Sequence, residues 1–285
     1  MTSSIDFSQA LQTAIEAAHS GAATLMAYFH RRDDLVVEYK SRNDFVSQAD
    51  KDAEQAIIDK LATLTPQFAI VAEEGHSVTK PDAIATWYID PLDGTTNFLH
   101  GIPHFAVSIG LIAHQGTVLM PGMSPLSEDT PIVSVVYDPC REELFTALYQ
   151  GGCQLNGHRI RCSNTQSLDD ALLATGFPFR DFSFEEEFQP TVQAAIHRTR
   201  GVRRYGAAAL DLAWVACGRV DGYWEFRLAP WDVAAGVLLV REAGGIAKDL
   251  YQQLSWPKTG NVVASNRQIF EDFYAMLAPS LKKPD

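Results

Sequence analysis

The sequence predicts an α/β fold. Its first half, residues 1–150, is of the α+β type, and its second half, residues 151–285, is a more regular α/β arrangement. Apolar residues recur from Leu11 to Phe29 with the 3.6-residue period of an amphipathic helix. Short apolar runs typical of strands follow, and helical patterns alternate with further strands after residue 185. No repeat or low-complexity linker separates the halves, so we expect one compact unit.

The helices and strands of the first half are predicted from local patterns. Asp6 and Gln9 resemble a capping box at the start of the first helix. A second helix over Ala49–Leu64 ends before Pro66, because proline cannot continue a helix. Phe105–Ala113 is apolar throughout, as expected of a central strand covered on both faces. The other predicted strands are Leu35–Tyr39, Phe68–Ala72, Trp87–Ile89, Ile132–Tyr137 and Glu143–Leu148.

The second half is predicted to be richer in helices. A helix over Val233–Ala243 ends at a pair of glycines, which is a common helix stop. The proline-rich segment Pro121–Pro131, in the first half, is the longest predicted surface loop. The other elements predicted after residue 150 are the helices Glu185–His197, Ala207–Cys217 and Arg267–Leu277 and the strands Asp221–Phe226 and Val262–Ala264.

Composition excludes several classes of protein. The chain has 285 residues, of which 46% are hydrophobic, so it is neither disordered nor collagen-like. Its net charge of −12 makes it a poor generic binder of nucleic acid or anionic membranes. The uncharged stretch Gly94–Ser127 is broken by glycine, proline and histidine, which predicts strands rather than a membrane helix. The four cysteines form no C-x-x-C pair and no apolar leader follows Met1, so we expect reduced thiols in a cytoplasmic protein.

Three acidic clusters lie next to predicted strand ends or helix starts. Glu73 follows one strand, Asp90 and Asp93 follow the next, and Asp232 begins a helix. Singly, such residues are more simply a solvated pair, a turn or a helix N-cap. Together they can converge in a crevice beyond a sheet, where ligands bind in α/β folds. Because neighbouring carboxylates repel each other, a hard divalent cation such as Mg²⁺ is the ligand that this pattern favours.

The segment between and after the carboxylates of the second cluster has features of a metal and phosphate site. Pro91 fixes φ and bends the chain, which can leave the carbonyl of Leu92 available as a ligand. Gly94 permits a close approach of the backbone. Thr95 and Thr96 are predicted to start a helix, whose first N–H groups point at an anion. The segment therefore predicts cation ligands and a phosphate cradle side by side.

Two long segments resemble the signatures of a known family. Trp87–Phe98 (WYIDPLDGTTNF) resembles the first signature of the inositol monophosphatase family. Trp231–Gly236, continuing to Glu242–Gly245, resembles the second, and the resemblance extends from the first helix to Asn266. The run Arg203–Ala213 is most similar to the bacterial SuhB-type branch of that family. The resemblance implies a layered αβαβα sandwich of the sugar-phosphatase type.

The resemblance also implies roles for individual residues. The implied ligands of about two to three Mg²⁺ ions are Glu73, Asp90, the carbonyl of Leu92, Asp93 and Asp232. Asp50 and Thr95 are implied to orient the attacking water, with Glu73 assisting as a catalytic residue through its metal. The implied substrate contacts are Gly94 and Thr95 at the phosphate and Ala208 and Glu225 at the polyol. Lys40 and Asp44 are implied to belong to the outer part of the site.

The implied activity is hydrolysis of a phosphate monoester by a metal-activated water without a covalent intermediate. The favoured substrate is myo-inositol 1-phosphate. Fructose 1,6-bisphosphate, histidinol phosphate and adenosine 3′,5′-bisphosphate remain alternatives. Lithium sensitivity and a homodimer are also implied by the family.

A second hypothesis is a regulator that binds transcription or ribosomal machinery, as relatives of the SuhB type do. Its candidate surface is a basic island in an acidic chain, formed by His197, Arg198, Arg200, Arg203 and Arg204. A dimer interface or a solvated helix end is the simpler interpretation of that island.

The sequence departs from the family pattern at two places. Ala207 stands where a serine or threonine is common, which removes a hydroxyl contact and leaves polyol selectivity open. The segment Gly116–Pro131 is about a dozen residues longer than expected for a hairpin connection. Such an insertion can cover the site, mediate assembly or simply be tolerated, and we favour the last.

Overall fold

The computed structural model describes residues 5–31, 37–41, 44–177, 182–252 and 259–282, with the backbone alone for 37–41 and 44–46. The helices are α1 (Phe7–Phe29), α2 (Gln48–Leu64), α3 (Thr95–Leu99), α4 (Glu185–Arg198), α5 (Ala208–Ala216), α6 (Pro230–Glu242) and α7 (Phe270–Leu277). The strands of the first half are β1 (Val37–Ser41), β2 (Asp44–Ser47), β3 (Ala69–Ala72), β4 (Ala85–Asp93), β5 (Ala106–Ala113), β6 (Thr130–Asp138) and β7 (Glu143–Leu148). The remaining strands are β8 (Gly152–Leu155), β9 (His158–Arg159), β10 (Leu172–Thr175), β11 (Gly201–Arg203), β12 (Gly222–Glu225), β13 (Ile246–Asp249) and β14 (Val262–Ser265).

The strands form two large mixed sheets and a hairpin. A seven-stranded sheet follows the chain order from β3 to β9, with β3 parallel to β4 and every later pair antiparallel. A five-stranded sheet has the order β11-β10-β12-β14-β13, with β10 parallel to both of its neighbours. The strands β1 and β2 pair with each other as an antiparallel hairpin.

Helices cover both faces of both large sheets. The pair α1 and α2 packs on one face of the seven-stranded sheet, while α5 and α6 contact both sheets. The helices α4 and α7 pack together on the five-stranded sheet, where α7 contacts β14 and α4 contacts β11. The order of layers is therefore helices, sheet, helices, sheet, helices. This confirms the expected αβαβα sandwich.

Alternating side chains on the strands build three apolar cores between these layers. On β6, Val135 joins the core under α1 and α2, whereas Val136 joins the core around α5 and α6. On β12, Tyr223 faces α5 and α6, whereas Trp224 packs with α4 and α7. Because successive strand residues point to opposite faces, each sheet separates two cores.

The central helix α6 lies unusually close to the seven-stranded sheet. A Cβ added at Gly110 in β5 would lie 2.8 Å from the backbone nitrogen of Ala235. The hydroxyls of Ser108 and Ser134 donate to the carbonyls of Trp231 (3.3 Å) and Ala235 (2.8 Å), respectively. Glycine and serine in the sheet thus fix the first turns of α6 against the strands. This contact determines where Asp232 lies.

The patterned elements agree with their predictions to within a few residues, and β7 has the predicted bounds. Pro91 lies within β4, which continues as a strand to Asp93. The register with β5 shifts between Asp90 and Asp93, so the proline is accommodated as an irregularity within the strand. The helix α6 begins at Pro230 and not at Val233, and proline is well suited to the first turn of a helix.

The long connection between β5 and β6 lies away from the cavity described below, since none of its residues lines that cavity. Leu119 is buried, and the amide of Leu126 donates to the carbonyl of Thr117 at 2.9 Å, so the connection folds back on itself. Within the part of the chain that the structure describes, no helix is both long and apolar enough to cross a membrane.

Candidate active site

A cavity of about 240 Å³ lies between the two sheets, at the ends of β3, β4, β10 and β12. The predicted site residues that line it are Glu73, Asp90, Leu92, Asp93, Gly94, Thr95, Ala208, Glu225 and Asp232. We call the carboxylates of Glu73, Asp90, Asp93 and Asp232 the acidic floor of the cavity. The helices α3, α5 and α6 all begin at this cavity, so their partially positive N-termini lie close to the acidic floor. The carboxylates of the floor therefore concentrate negative charge, and the N-termini of the three helices partly offset that charge.

Asp90 is the most deeply buried carboxylate of the floor, with 2% of its surface exposed. Its Oδ1 accepts a hydrogen bond from the amide of Leu92 at 2.9 Å, which orients the carboxyl group. Burial raises the pKa of Asp90 well above its usual range, and the nearby carboxylates of Glu73, Asp93 and Asp232 raise it further. Asp90 is thus a buried carboxyl group surrounded by other carboxylates, and both conditions disfavour its ionised form.

Asp93 joins the floor to the start of α5. Its Oδ1 accepts from the amide of Ala208 at 3.1 Å and its Oδ2 from the amide of Ala209 at 2.6 Å. Burial raises the pKa of Asp93 to about 7, although the hydrogen bond from Ala209 opposes that shift and the charge of Glu225 adds to it. Asp93 is thus both a charge in the cavity and the cap of a helix.

Asp232 is the third residue of α6 and points back to the start of that helix. Its Oδ2 accepts from the amide of Ala229 at 2.7 Å, as the acidic member of a capping box does. The sequence suggested a simple N-cap as the alternative for this residue. The structure shows the capping contact and a place in the cavity lining together.

Asp50 lies behind the cavity at the first turn of α2. Its Oδ2 accepts from the amide of Ser47 at 2.9 Å and from the hydroxyl of the same serine. Its Oδ1 lies 3.4 Å from the hydroxyl of Thr95, which also lies 3.2 Å from the carbonyl of Leu92. Thr95 therefore connects a buried carboxylate to the cavity surface.

Gly94 permits the tight turn between β4 and α3. Its φ is +98°, a conformation that side chains with a Cβ rarely adopt. A Cβ at this position would also lie 3.1 Å from the carbonyl oxygen of His104. The glycine thus brings the backbone at Thr95 to the cavity surface.

Glu225 is positioned by the end of the five-stranded sheet. The hydroxyl of Tyr223 donates to Oε2 of Glu225. Gly176 leaves space for this carboxyl group, because a Cβ there would overlap it. Ala208 is buried and borders the same side of the cavity. The side chains of Lys40 and Asp44 lie outside the described residues.

Sequence reasoning missed a buried carboxyl group close to Asp93 and Glu225 and several residues of the cavity lining. Asp211 is buried in α5, its Oδ1 has no hydrogen-bond partner among the described residues, and burial raises its pKa well above the usual range. The sequence feature that could have identified Asp211 is a single carboxylate within an otherwise apolar helical segment. Arg204 was grouped with the basic island, yet it lines the cavity together with Arg227, Phe177 and Phe184.

The donor set suits a hard cation. All the acidic groups of the floor are carboxylates, and oxygen ligands are those that Mg²⁺ prefers. Among the described residues, no three Asp, Glu, His or Cys side chains are placed so that they could hold a metal ion as they stand. The repulsion that raises the pKa of Asp90 is nevertheless the kind that a bound cation relieves. Glu73, Asp90 and Asp232 therefore fit the chemistry of such an ion.

Comparison with known proteins places this architecture among phosphatases. The chain belongs to the inositol monophosphatase family, whose model matches residues 6–282. Nus factor SuhB of Escherichia coli strain K12 is 44% identical over 268 residues, which is 94% of each chain. This confirms the family resemblance that the two signatures indicated.

Solved structures of two relatives share the fold. The extragenic suppressor protein suhB from Bartonella henselae has a TM-score of 0.85 and 36% identity, over 95% of this chain and 98% of that one. Inositol monophosphatase from Anabaena (Nostoc) sp. PCC 7120 has a TM-score of 0.76 and 36% identity, over 94% of this chain and 95% of that one.

Proposed function

We propose that the protein is a Mg²⁺-dependent phosphatase that hydrolyses inositol 1-phosphate or a related sugar or polyol phosphate. The observation that supports this most directly is the acidic floor of the cavity beside the turn at Gly94 and Thr95. The cavity volume of about 240 Å³ lies below the range of about 300–1,000 Å³ that is common for ligand pockets, so the cavity suits a small substrate. We further propose a cytoplasmic homodimer, and the four free cysteines agree with a reducing compartment.

The proposed roles follow from where each residue lies. Glu73, Asp90 and Asp232 hold the cation, with Asp93 and the carbonyl of Leu92 as further ligands. When bound, Mg²⁺ supplies Lewis acidity, which lowers the pKa of water and offsets phosphate charge. Asp90, Asp93 and Asp232 each accept a hydrogen bond from a backbone amide, which helps to orient these carboxyl groups in the cavity.

Asp50 and Thr95 act together on the attacking water in this proposal. The hydroxyl of Thr95 lies at the cavity surface and can pass a proton toward Asp50, whose Oδ1 is 3.4 Å away. Because the first-turn amides of a helix have no acceptor within that helix, we propose that those of α3 donate to the phosphate. Glu225 accepts hydrogen bonds from the hydroxyls of the leaving polyol.

Phosphate release from a panel of substrates tests this proposal. With Mg²⁺ we expect inositol 1-phosphate to be hydrolysed, with loss of activity in EDTA, recovery on adding Mg²⁺ and inhibition by Li⁺. The panel also contains fructose 1,6-bisphosphate, histidinol phosphate and adenosine 3′,5′-bisphosphate. The thermal unfolding of the EDTA-treated protein serves as a control for intact structure. If none of the substrates releases phosphate, the enzymatic proposal is wrong.

A second candidate function is binding to transcription or ribosomal machinery. It is favoured by the relative named Nus factor SuhB. The structure divides the basic island on which this hypothesis depends. Arg200 pairs with Asp170 at 2.6 Å and Arg204 lines the cavity. Arg198 is exposed in α4, as is Ile196 at 62%, and Arg203 is exposed in β11, a strand that contacts α4. The surface to test is therefore Ile196, Arg198 and Arg203.

A pull-down with purified RNA polymerase and ribosomal subunits tests this second function. We expect Arg198→Ala/Arg203→Ala to reduce binding to the partner and Asp93→Asn to leave it unchanged, because Asp93 lies in the cavity and not on that surface. Equal binding by the wild type and the arginine double variant would remove the surface from consideration. Phosphatase activity of the same samples serves as the control.

A further inference from the structure

A fully buried carboxyl group contacts the turn that follows Glu73. Glu54 in α2 has no exposed surface, and it is not part of the cavity lining. Its Oε2 accepts the amide of Glu74 at 2.7 Å, and its Oε1 accepts the amide of His76 at 3.1 Å. The ring Nδ1 of His76 lies 2.8 Å from the same Oε1. Both carboxyl oxygens of Glu54 thus bind the residues that come directly after Glu73.

The backbone around Glu73 is held by the sheet on one side and by α2 on the other. The amide of Glu73 donates to the carbonyl of Ile89 at 3.2 Å, which continues the pairing of β3 with β4. The strand β3 ends at Ala72, and the next amide, that of Glu74, donates to Glu54. The position of Glu73 therefore depends on a contact with α2 as well as on the sheet.

The turn has a conformation that suits binding to a single carboxyl group. Gly75 lies between the two residues whose amides Glu54 accepts, and its φ is +105°. Nearby backbone amides in such a turn can point at one anion. A Cβ at Gly75 would meet no atom within 4 Å, so the backbone angle alone favours glycine here.

The helix α2 carries two buried carboxyl groups that contact different parts of the site. Asp50 and Glu54 are four residues apart, so they lie on the same face of the helix. Oδ1 of Asp50 lies 3.4 Å from the hydroxyl of Thr95, whereas Glu54 binds the turn after Glu73. One helix thus determines where the proposed proton acceptor and a proposed metal ligand lie relative to each other.

We propose that Glu54 is a positioning residue, which holds Glu73 in place for binding Mg²⁺ through the backbone amides of Glu74 and His76. This inference rests on the proposed phosphatase function, in which Glu73 is a ligand of the cation. Removing a group that orients a metal ligand commonly lowers metal affinity or activity by about 10- to 100-fold. A residue with only a structural role changes stability and leaves the affinity for Mg²⁺ unchanged.

Binding of Mg²⁺ to the variant Glu54→Gln tests this role independently of catalysis. Glutamine has nearly the same volume but one acceptor oxygen in place of two, so the two backbone amides can no longer each bond to its own oxygen. By isothermal titration calorimetry of the full-length protein, we expect the Kd of Mg²⁺ to increase about tenfold. Saturating Mg²⁺ should restore most of kcat. The KM for inositol 1-phosphate should change little, because the proposed substrate contacts lie on other elements.

Three further variants make the result specific. Gly75→Ala disturbs the same turn from its exposed side, so we expect the Kd of Mg²⁺ to increase here too. His76→Ala removes the ring contact but keeps both backbone amides, and the Kd should stay unchanged. Asp221→Asn alters another buried carboxyl group that accepts a backbone amide, but one outside the cavity lining. It should lower stability and leave the Kd unchanged.

The possible results separate this inference from the proposed function. An unchanged Kd in Glu54→Gln overturns the positioning role, and so does an equal increase in Asp221→Asn or His76→Ala. If thermal unfolding in EDTA shows that Glu54→Gln does not fold, an unchanged Kd in Gly75→Ala overturns the role instead. In all these cases, phosphate release by the wild type leaves the phosphatase function intact. A wild type that neither binds Mg²⁺ nor releases phosphate overturns both proposals.

Discussion

Replacing Asp93 by asparagine is expected to lower Mg²⁺-dependent kcat/KM by more than about 100-fold while the protein still folds. The carboxylate lies in the acidic floor and both of its oxygens accept amides of α5. Asparagine keeps the size but removes the charge and replaces one acceptor with a donor group. Steady-state phosphate release and circular dichroism measure the two outcomes. Full activity of this variant would contradict the role proposed for Asp93.

The pH dependence of stability gives a second measurement on the same variant. The folded-state pKa of Asp93 is about 7, above its ordinary value, so the folded protein binds this proton more tightly than the unfolded chain. The stability that Asp93 contributes is present at low pH and is lost as pH rises toward 7. Asparagine does not titrate. In EDTA, the unfolding temperature of Asp93→Asn relative to wild type should therefore increase from pH 5 to pH 8.

Asp221→Asn is the matched control for Asp93→Asn. Asp221 is also buried, and its Oδ2 accepts the amide of Leu172 at 2.7 Å, but it lies outside the cavity lining. We expect this variant to lose stability and keep turnover. If it loses as much turnover as Asp93→Asn, the loss reflects damage to the fold and not to the site.

Replacing Thr95 by alanine is expected to lower kcat by at least about 100-fold with little change in KM. The hydroxyl of Thr95 is the group between the cavity and Oδ1 of Asp50, at 3.4 Å. Alanine removes this hydroxyl, so the proposed path for the proton is broken, while the backbone amides at the start of α3 remain. Steady-state kinetics with inositol 1-phosphate measure both constants.

Thr95→Ser supplies the control, since serine keeps the hydroxyl and loses only a methyl group. We expect its kcat to remain within about tenfold of wild type. A serine variant as inactive as the alanine variant would show that the methyl group, and so packing, is what matters at Thr95. An alanine variant with full kcat would show that the hydroxyl takes no part in the reaction.

Sequence patterns predicted the elements whose hydrophobic period is long and regular. The bounds of α2 and β7 agree with the prediction to within a residue. The short strands β10, β11 and β13 were not predicted, because runs of only three or four residues show no period that distinguishes a strand from a loop. Their pairing partners lie far away in the sequence, and only the packed sheet reveals them.

The residues of the site also divide into those that the sequence predicted and those that only the structure revealed. The carboxylates were found because acidic residues next to apolar runs stand out in a sequence. Arg204 was assigned to the basic island because it follows Arg203, although β11 ends at Arg203 and the next residue lines the cavity. Arg227 gave no sequence signal, since only the fold brings it to the cavity lining.

The sequence by itself determined the family, the α/β class and the set of acidic residues, because these depend on residue types at fixed short spacings. The tertiary structure decided which residues share a cavity. Asp93 reaches the amides of Ala208 and Ala209, and Arg204 and Arg227 line the same cavity, because α5 and α6 pack between two sheets. Contacts between such distant segments arise from the packing of complete layers, which no local pattern records.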